Sequence, residues 1–393
     1  MEKAYDVIAA GHICLDISPV IESTSHTSIA QFLSPGRLIN LDGVTFSAGG
    51  PVANTGFALS KLGLSVLPMA NIGADEFGVI LKNVIKKEIG IDFKLDQKTR
   101  TSYSIILSIP GIDRIILHDP AGNNYFGVKA INFNLLGEAK IFHFGYPPLM
   151  RAVYQNSGEE LIEIYKRAKT TGVTTSLDMS LPDTDSESGR VNWQVIMEET
   201  LPYVDVFLPS VEEALYIFDR KEYLRVKTIA DNDDFVNHIN MNKVCEIGER
   251  ILQNGAAIAV IKCGSKGIYI KTASSERISN MGASHPRKTE AWCNKELFEE
   301  TYHVSNFKSA LAGGDTTIAG LLTGLVKGYD IYKSLKIACM TGALCCTTYD
   351  SISGLLPLDQ IVKKIDQNNK KNKFNKLKDM FQYDPNEEVW CHK

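Results

Sequence analysis

NFKSALAGGDTTIAGLLTGLVKG, Asn306 to Gly328, is the stretch from which the fold can be read outward. It opens with small residues, Ala310, Ala312, Gly313 and Gly314, and then places one carboxylate, Asp315. Ile318, Leu321, Leu322 and Leu325 follow at i, i+3, i+4 and i+7, one apolar face of a helix. Gly328 closes it in the manner of a C-terminal cap. The pattern predicts a glycine-rich turn that delivers the chain into a buried helix with an acid in its first turn. Unpaired N–H groups and a partial positive charge sit at such a helix start, and glycines let an anion approach them. Asp315, at the same mouth, is placed to take a proton from an attacking hydroxyl. The same residues also suit a plain turn and N-cap into a core helix. The rest of the chain has to decide between the two.

With 393 residues the chain can bury a large core, as one big α/β domain or two smaller ones. Its charged fraction of 22% and hydrophobic fraction of 44% are those of a globular protein. A net charge of −4 argues against nucleic acid or an anionic membrane as the main partner. No apolar run reaches the ~18 residues of a membrane span. The N-terminal MEKAYDVIAAGHICLD reads directly as a strand, without a basic leader. The eight cysteines are scattered and lack zinc-finger spacing, which fits buried free thiols in a reducing cytoplasm.

Tyr5 to Ala10 is an unbroken apolar run suited to a strand buried on both faces. Asp16 follows just past its end, the ligand side of an open parallel sheet. A carboxylate there suits two neighbouring hydroxyls, or equally a turn. In SAGGPVANTGFALSKLG, residues 47 to 63, Pro51 suits a first helical position. Gly49 and Gly50 permit close backbone approach, and Asn54 offers a donor and an acceptor. NIGADEFG, residues 71 to 78, reads as a turn into the next helix. Two β-rich runs, Ser102 to Ile109 and Arg114 to Leu117, flank a hairpin signal at Pro110 to Asp113.

From there strand and helix patterns alternate, the mark of a wound parallel sheet. Strands are expected at 141–144, 173–178, 204–208, 257–262 and 268–270, and helices at 158–170, 193–201, 211–218 and 243–253. The polar segments 220–242 and 272–300 read as insertions in this frame. Residues 363–393, beginning KKIDQNNKKNKFNKLK, read as a basic tail or helix with a solvated face. No Gly-x-x-x-x-Gly-Lys-Ser/Thr is present, and no Gly-x-Gly-x-x-Gly follows the first strand, which excludes a P-loop enzyme and disfavours a dinucleotide oxidoreductase.

SALAGGDTTIAG resembles the second signature of the PfkB (ribokinase-like) carbohydrate kinases, an Asp-Thr-x-Gly-Ala-Gly-Asp run followed by small and apolar residues. SAGGPVANTGFALSKLG resembles their first signature, and the likeness runs from about Tyr5 to Pro357. It implies a three-layer α/β/α core with a mostly parallel central sheet and a small antiparallel β-lid, from about 13–47 and 98–127, in one kinase domain spanning 1–362. Asp315 is then the catalytic base, with Ala312, Gly313 and Gly314 as the anion hole. Asp16, Gly49, Gly50 and Asn54 contact the phosphoryl acceptor, and Arg114 and Asn123 close over it from the lid. Ser210 and Glu213, at the start of a helix, match the family's Asn-x-x-Glu, whose Glu helps hold magnesium. Without the resemblance they form a capping box. Cys263, Gly264 and Gly267 resemble the family's turn under the nucleotide, and read alone are a hairpin turn. Asp178 lies near the phosphates or the metal. The departures are Ser309 for the family's first Asp, which touches its monovalent-cation site, Ala312 for a Gly, and Ser180 and Ser210 for Asn.

The resemblance therefore implies transfer of the γ-phosphoryl of ATP, with Mg2+, to an alcohol group of a sugar-type acceptor. A cytoplasmic enzyme is expected, paired as a homodimer through the lid. The alternative is a degenerate member that binds sugar or nucleotide in a regulatory role without turnover.

Overall fold

The apolar runs become strands whose alternate residues face opposite layers of helices. A computed structural model describes residues 3–21, 32, 33, 35–109, 115–231, 233–350, 352–367 and 369–393. The strands in chain order are β1 (Tyr5–Gly11), β2 (Cys14–Pro19), β3 (Val44–Gly49), β4 (Val66–Met69), β5 (Tyr103–Leu107), β6 (Ile115–Asp119) and β7 (Ala139–Gly145). They continue with β8 (Thr174–Asp178), β9 (Val206–Phe207), β10 (Ile258–Lys262), β11 (Gly267–Thr272), β12 (Glu296–Glu300), β13 (Phe381–Asp384) and β14 (Val389–His392).

Ten of them form one sheet in the order β13-β14-β12-β11-β10-β9-β8-β7-β1-β4. The run from β4 to β10 is parallel, and the run from β10 to β13 is antiparallel. Period-two alternation assigns the two faces. Ile8, Ala10, Ala259 and Ile261 join the core under the helices Glu159–Thr170, Val211–Phe218 and Met241–Gln253. Val7, Ala9, Ile258 and Val260 join the core under Pro51–Lys61, Gly313–Lys327 and Ile331–Cys345. Three layers result. Among the described residues no helix is long and apolar enough to cross a membrane.

β3-β2-β5-β6 form a second, small sheet beside the first. Its outer pairs β2–β3 and β5–β6 are antiparallel, whereas β2 and β5 run parallel. Asp16 lies within β2 rather than in a turn past β1, opposite Ser47 of β3. The hairpin signal at 110–113 and Arg114 fall outside the described residues.

Two expectations need correcting. The segment 272–300 contains β12, a strand in the sheet interior, and its Leu297, Phe298, Glu299 and Glu300 are all buried. Residues 363–393 are no solvated tail. Phe374, Leu377, Phe381 and Val389 are buried, and β14 pairs with β12 at Leu297↔Cys391 and Phe298↔Trp390. The physical reason is mutual. β12 carries three glutamates, and the C-terminal segment supplies partners for two of them. Lys371 Nζ bonds Glu299 at 2.5 Å, and the Phe374 N–H donates to Glu300 at 2.6 Å. The third, Glu296, is bonded by Tyr269 and Lys271 of β11.

Candidate active site

The carboxyl ends of β7, β8 and β10 meet the starts of three helices, and the charged residues collect there. In the Gly313–Lys327 helix, Ala312 is the N-cap with φ 56 and ψ 11, the left-handed region that a glycine occupies without cost. Asp315 follows in the first turn, only 2% exposed. Asn54 Nδ2 donates to its Oδ2 at 3.0 Å and Thr55 Oγ1 to its Oδ1 at 3.4 Å. The Tyr146 hydroxyl reaches both oxygens, at 3.1 and 3.0 Å. Asn54 and Thr55 stand early in the Pro51–Lys61 helix, so the two glycine-rich signatures meet at this one carboxylate.

At the end of β8, Asp178 is buried and accepts from Lys262 Nζ at 2.6 Å. Lys262 is the last residue of β10, and its N–H donates to the Pro209 carbonyl at 2.9 Å. The adjoining helix Val211–Phe218 starts with a capping box. Glu213 Oε2 accepts the Ser210 N–H at 2.6 Å, and Ser210 Oγ accepts the Glu213 N–H at 3.2 Å.

The Lys262 ammonium thus bonds one carboxylate, Asp178, with the buried Asp315 and the half-buried Glu213 close enough to feel its charge. Burial pushes Asp178 up to about 8, with Lys262 holding it back and Glu213 and Asp315 adding to the rise. Burial likewise raises Glu213 and Asp315 above the ordinary carboxylate range against the pull of Lys262. For Lys262 burial favours the neutral form, but Asp178 and Glu213 outweigh it and the ammonium is held more firmly than usual. Two oxygen-donor residues, Asp178 and Glu213, beside this excess of negative charge fit a hard divalent cation.

A cavity of about 710 Å³ opens beside the cluster, lined by Lys262, Gly264, Gly267, Gly313, Gly314 and Tyr302 among others. A Cβ on Gly313 would stand 3.5 Å from Cys346 Sγ, and one on Gly314 would stand 3.6 Å from Lys262 Cε. Those are ordinary contacts, so packing alone tolerates alanine at both. What the missing side chains leave open is backbone access from the cavity to the helix start. Cys263 contributes no side chain here. It is fully buried, and its thiol points to the Ile261 carbonyl. Ser309 Oγ accepts the Leu311 N–H at 3.0 Å within its own turn.

On the lid side, Gly49 and Gly50 behave differently from Gly313 and Gly314. A Cβ on Gly49 would lie 2.2 Å from Asp16 Oδ2, and one on Gly50 (φ 84) would lie 2.5 Å from His12 Nδ1. Both positions exclude any side chain. Cys14 Sγ donates to Asp16 Oδ1 at 3.2 Å. His12 Nε2 and His118 Nε2 are 3.2 Å apart, and His118 Nδ1 meets Ser104 Oγ at 3.1 Å, which ties the lid to the end of β1. Burial lowers the pKa of both histidines, so the link is neutral. Asn123 differs from its expected role. Completely buried, it donates to the Ile13 carbonyl at 2.8 Å and accepts the Ile13 N–H at 3.4 Å. Both ends of its amide are taken by main chain, so it positions β2 rather than facing a substrate.

Tyr146 and Lys262 were not legible as site residues in the sequence. Each ends or follows a buried strand on the ligand side of the sheet, a signal that strand assignment alone offers. Tyr146 also adopts φ 64, ψ 48, an unusual conformation for a bulky side chain.

The sequence profile described as pfkB family carbohydrate kinase matches residues 6–358. The 5-dehydro-2-deoxygluconokinase of Bacillus subtilis (strain 168) is 21% identical over 373 residues, covering 93% of this chain and 97% of that protein. The Arabidopsis thaliana ribokinase solved with ribose and ATP superposes with a TM-score of 0.65 at 16% identity, over 93% of this chain and 99% of that one. An E. coli protein assigned as ribokinase II, solved with ATP and Mg2+, gives 0.64 at 17% identity, over 92% and 99%. The two structural likenesses bear on the fold.

Proposed function

The chain belongs to the pfkB family of carbohydrate kinases, and from that premise we propose how its residues move the γ-phosphoryl of ATP to a hydroxyl of a sugar-type acceptor. The observation that carries the proposal is the buried Asp315 carboxylate at a helix start, beside Gly313 and Gly314 on the wall of the cavity. A carboxylate raised by burial is a better base than an exposed one, and Asn54, Thr55 and Tyr146 fix its direction.

ATP occupies the cavity, over the turn that contains Gly264 and Gly267, with its phosphates toward Gly313 and Gly314. The main-chain N–H groups of Ala312 and Gly314 form the anion hole, whereas the Gly313 N–H, expected to join them, already donates to the Ala310 carbonyl at 3.2 Å. Asp178 and Glu213 are the residues that would hold Mg2+, which when bound neutralises phosphate charge. The acceptor lies between Asp16, Gly49, Gly50 and Asn54, with its reacting hydroxyl toward Asp315. Asp315 takes that proton as the oxygen attacks the γ-phosphorus in line and ADP leaves. Asp16, a nearly buried carboxylate, selects acceptors that carry hydroxyls to bond it.

The acceptor class spans pentoses, hexoses, sugar acids, nucleosides and cyclitols. A screen of ATP consumption over these classes, with the parent chain and Asp315→Asn side by side, tests the reading. Turnover on at least one class by the parent alone is the expected result, and equal background from both would overturn it. We further place the enzyme in the cytoplasm as a homodimer through the lid. Val44, Phe46, Ile116 and Leu117 leave apolar surface exposed on the small sheet, which supports that pairing. Light scattering after gel filtration should give twice the chain mass, and Phe46→Glu should halve it.

A further inference from the structure

Lys262 is a costly residue in its position. It ends the buried run Ile258-Ala259-Val260-Ile261 of β10, and its side chain is 11% exposed. An ammonium held in this way requires a partner, and Asp178, two strands away across β9, supplies one. The pairing does not exhaust it. An ammonium has three N–H donors, and among the described residues Asp178 is its one hydrogen-bond acceptor.

Where the remaining donors face is given by the neighbouring atoms. Nζ lies 3.8 Å from the point where a Cβ on Gly314 would stand, and Lys262 lines the cavity together with Gly313 and Gly314. The main chain of Lys262 is bridged to Ser210, at the start of the helix that carries Glu213. The cation therefore stands where the metal-holding residues, the anion hole and the base adjoin, at the end of the cavity where a terminal phosphate would reach Asp315.

We propose that Lys262 is a catalytic residue whose ammonium contacts the non-bridging oxygens of the transferred phosphoryl group. The inference rests on the kinase reading above and deepens it. In the absence of nucleotide, Asp178 holds the ammonium in place. During transfer the acceptor oxygen bonds to the γ-phosphorus, its proton goes to Asp315, and the bond from the γ-phosphorus to the bridging oxygen breaks with its electron pair leaving on ADP. Lys262 gives up no proton in this step. Its fixed charge follows the phosphoryl oxygens from ATP to product, and stabilises them most when the group is between the two.

The test is Lys262→Met, with Lys262→Arg as the charge-retaining control, in two measurements. The first is steady-state kinetics on an acceptor that the parent phosphorylates. Lys262→Met should lower kcat by about 10²-fold or more with the acceptor KM little changed, and Lys262→Arg should recover part of the loss. The second is calorimetric binding of a non-hydrolysable ATP analogue and of ADP, each with Mg2+. The parent should prefer the analogue, and Lys262→Met should lose that preference while ADP affinity stays within a few-fold. A merely structural lysine predicts a lowered melting temperature with kcat and the analogue-to-ADP ratio unchanged, and that result overturns the inference. If no acceptor is turned over, the kinase reading fails, yet the binding ratio still decides the role of Lys262. Should Lys262→Met not fold, an unaltered ratio in Lys262→Gln overturns the proposal equally.

Discussion

The two walls of the site are built on opposite electrostatic plans. The phosphate wall, at the ends of β8 and β10 and the starts of two helices, gathers the buried Asp178 and Asp315 with the half-buried Glu213 and Lys262. The lid wall sets Asp16 in a network of neutral groups: a thiol, a hydroxyl, and two histidines kept uncharged by burial. Even the glycines divide in this way. Gly313 and Gly314 have room for a side chain and leave it open toward the cavity, while Gly49 and Gly50 have none because Asp16 and His12 already fill it. One wall is arranged to handle charge that moves, the other to hold a shape. Charge that must stabilise a transition state calls for unbalanced, pre-oriented groups. Recognition calls for buried groups that punish a poor fit.

The sharpest way to break this contrast is Asp315→Asn. The side chain keeps its shape and loses its charge, so turnover should fall by about 10²- to 10⁴-fold with folding and nucleotide binding retained. Near-normal turnover in a coupled assay would remove Asp315 from the role of base. On the lid wall, Asp16→Ala should act mainly on the acceptor. Loss of a hydrogen-bonded charge of about 1.5–3 kcal/mol corresponds to about a 10- to 100-fold rise in acceptor KM, with the ATP KM nearly constant. Gly49→Ala should reproduce that split, since its Cβ would displace the Asp16 carboxylate. Equal effects on both substrates would make Asp16 structural.

A smaller effect sharpens the electrostatic half. Turnover requires the ionised form of Asp315, whose pKa burial has raised, so the acid limb of the pH–kcat profile should lie above the ordinary carboxylate range. The Asn54 N–H bond stabilises the carboxylate and opposes that rise. Asn54→Ala should therefore move the limb to higher pH, and a shift to lower pH would refute the assignment. The smallest effect concerns Ala312. Its left-handed backbone costs an alanine about 1 kcal/mol that glycine avoids, offset in part by the greater chain entropy of glycine. Ala312→Gly should raise stability to urea by about 1 kcal/mol or less, without altering turnover, because the N–H of the turn is unchanged.

Much of the fold was legible because it depends on local pattern. The 3.6-residue periodicity of Gly313–Lys327 and the unbroken apolar runs of β1, β7, β8 and β10 reflect burial on one face or two, which a short window of sequence contains. The glycine turns, with Asp315 after the second, were legible for the same reason, whereas the roles of Glu213 and Asp178 came from the family resemblance. β12 was not, because its three glutamates read as solvent-facing. Its burial is possible only since Lys371 and the Phe374 N–H arrive from a segment 72 and 74 residues away. The same segment looked like a solvated tail until β12 gave it an edge to pair with.

By itself, then, the amino-acid sequence determined the wound parallel sheet, the two glycine-rich turns and the acid that follows the second. Each is encoded within about a dozen consecutive residues by backbone preference and apolar spacing. Only the tertiary structure decided which polar groups meet. It joined Lys262 to Asp178 over 84 residues, Tyr146 to Asp315 over 169 and Asn54 to Asp315 over 261. It also turned Asn123 inward onto Ile13, 110 residues away. The reason is that a buried polar group is set by its partner and not by its neighbours in the chain. Its cost of desolvation is fixed by residue type, but the bond that offsets it exists only once distant strands have packed.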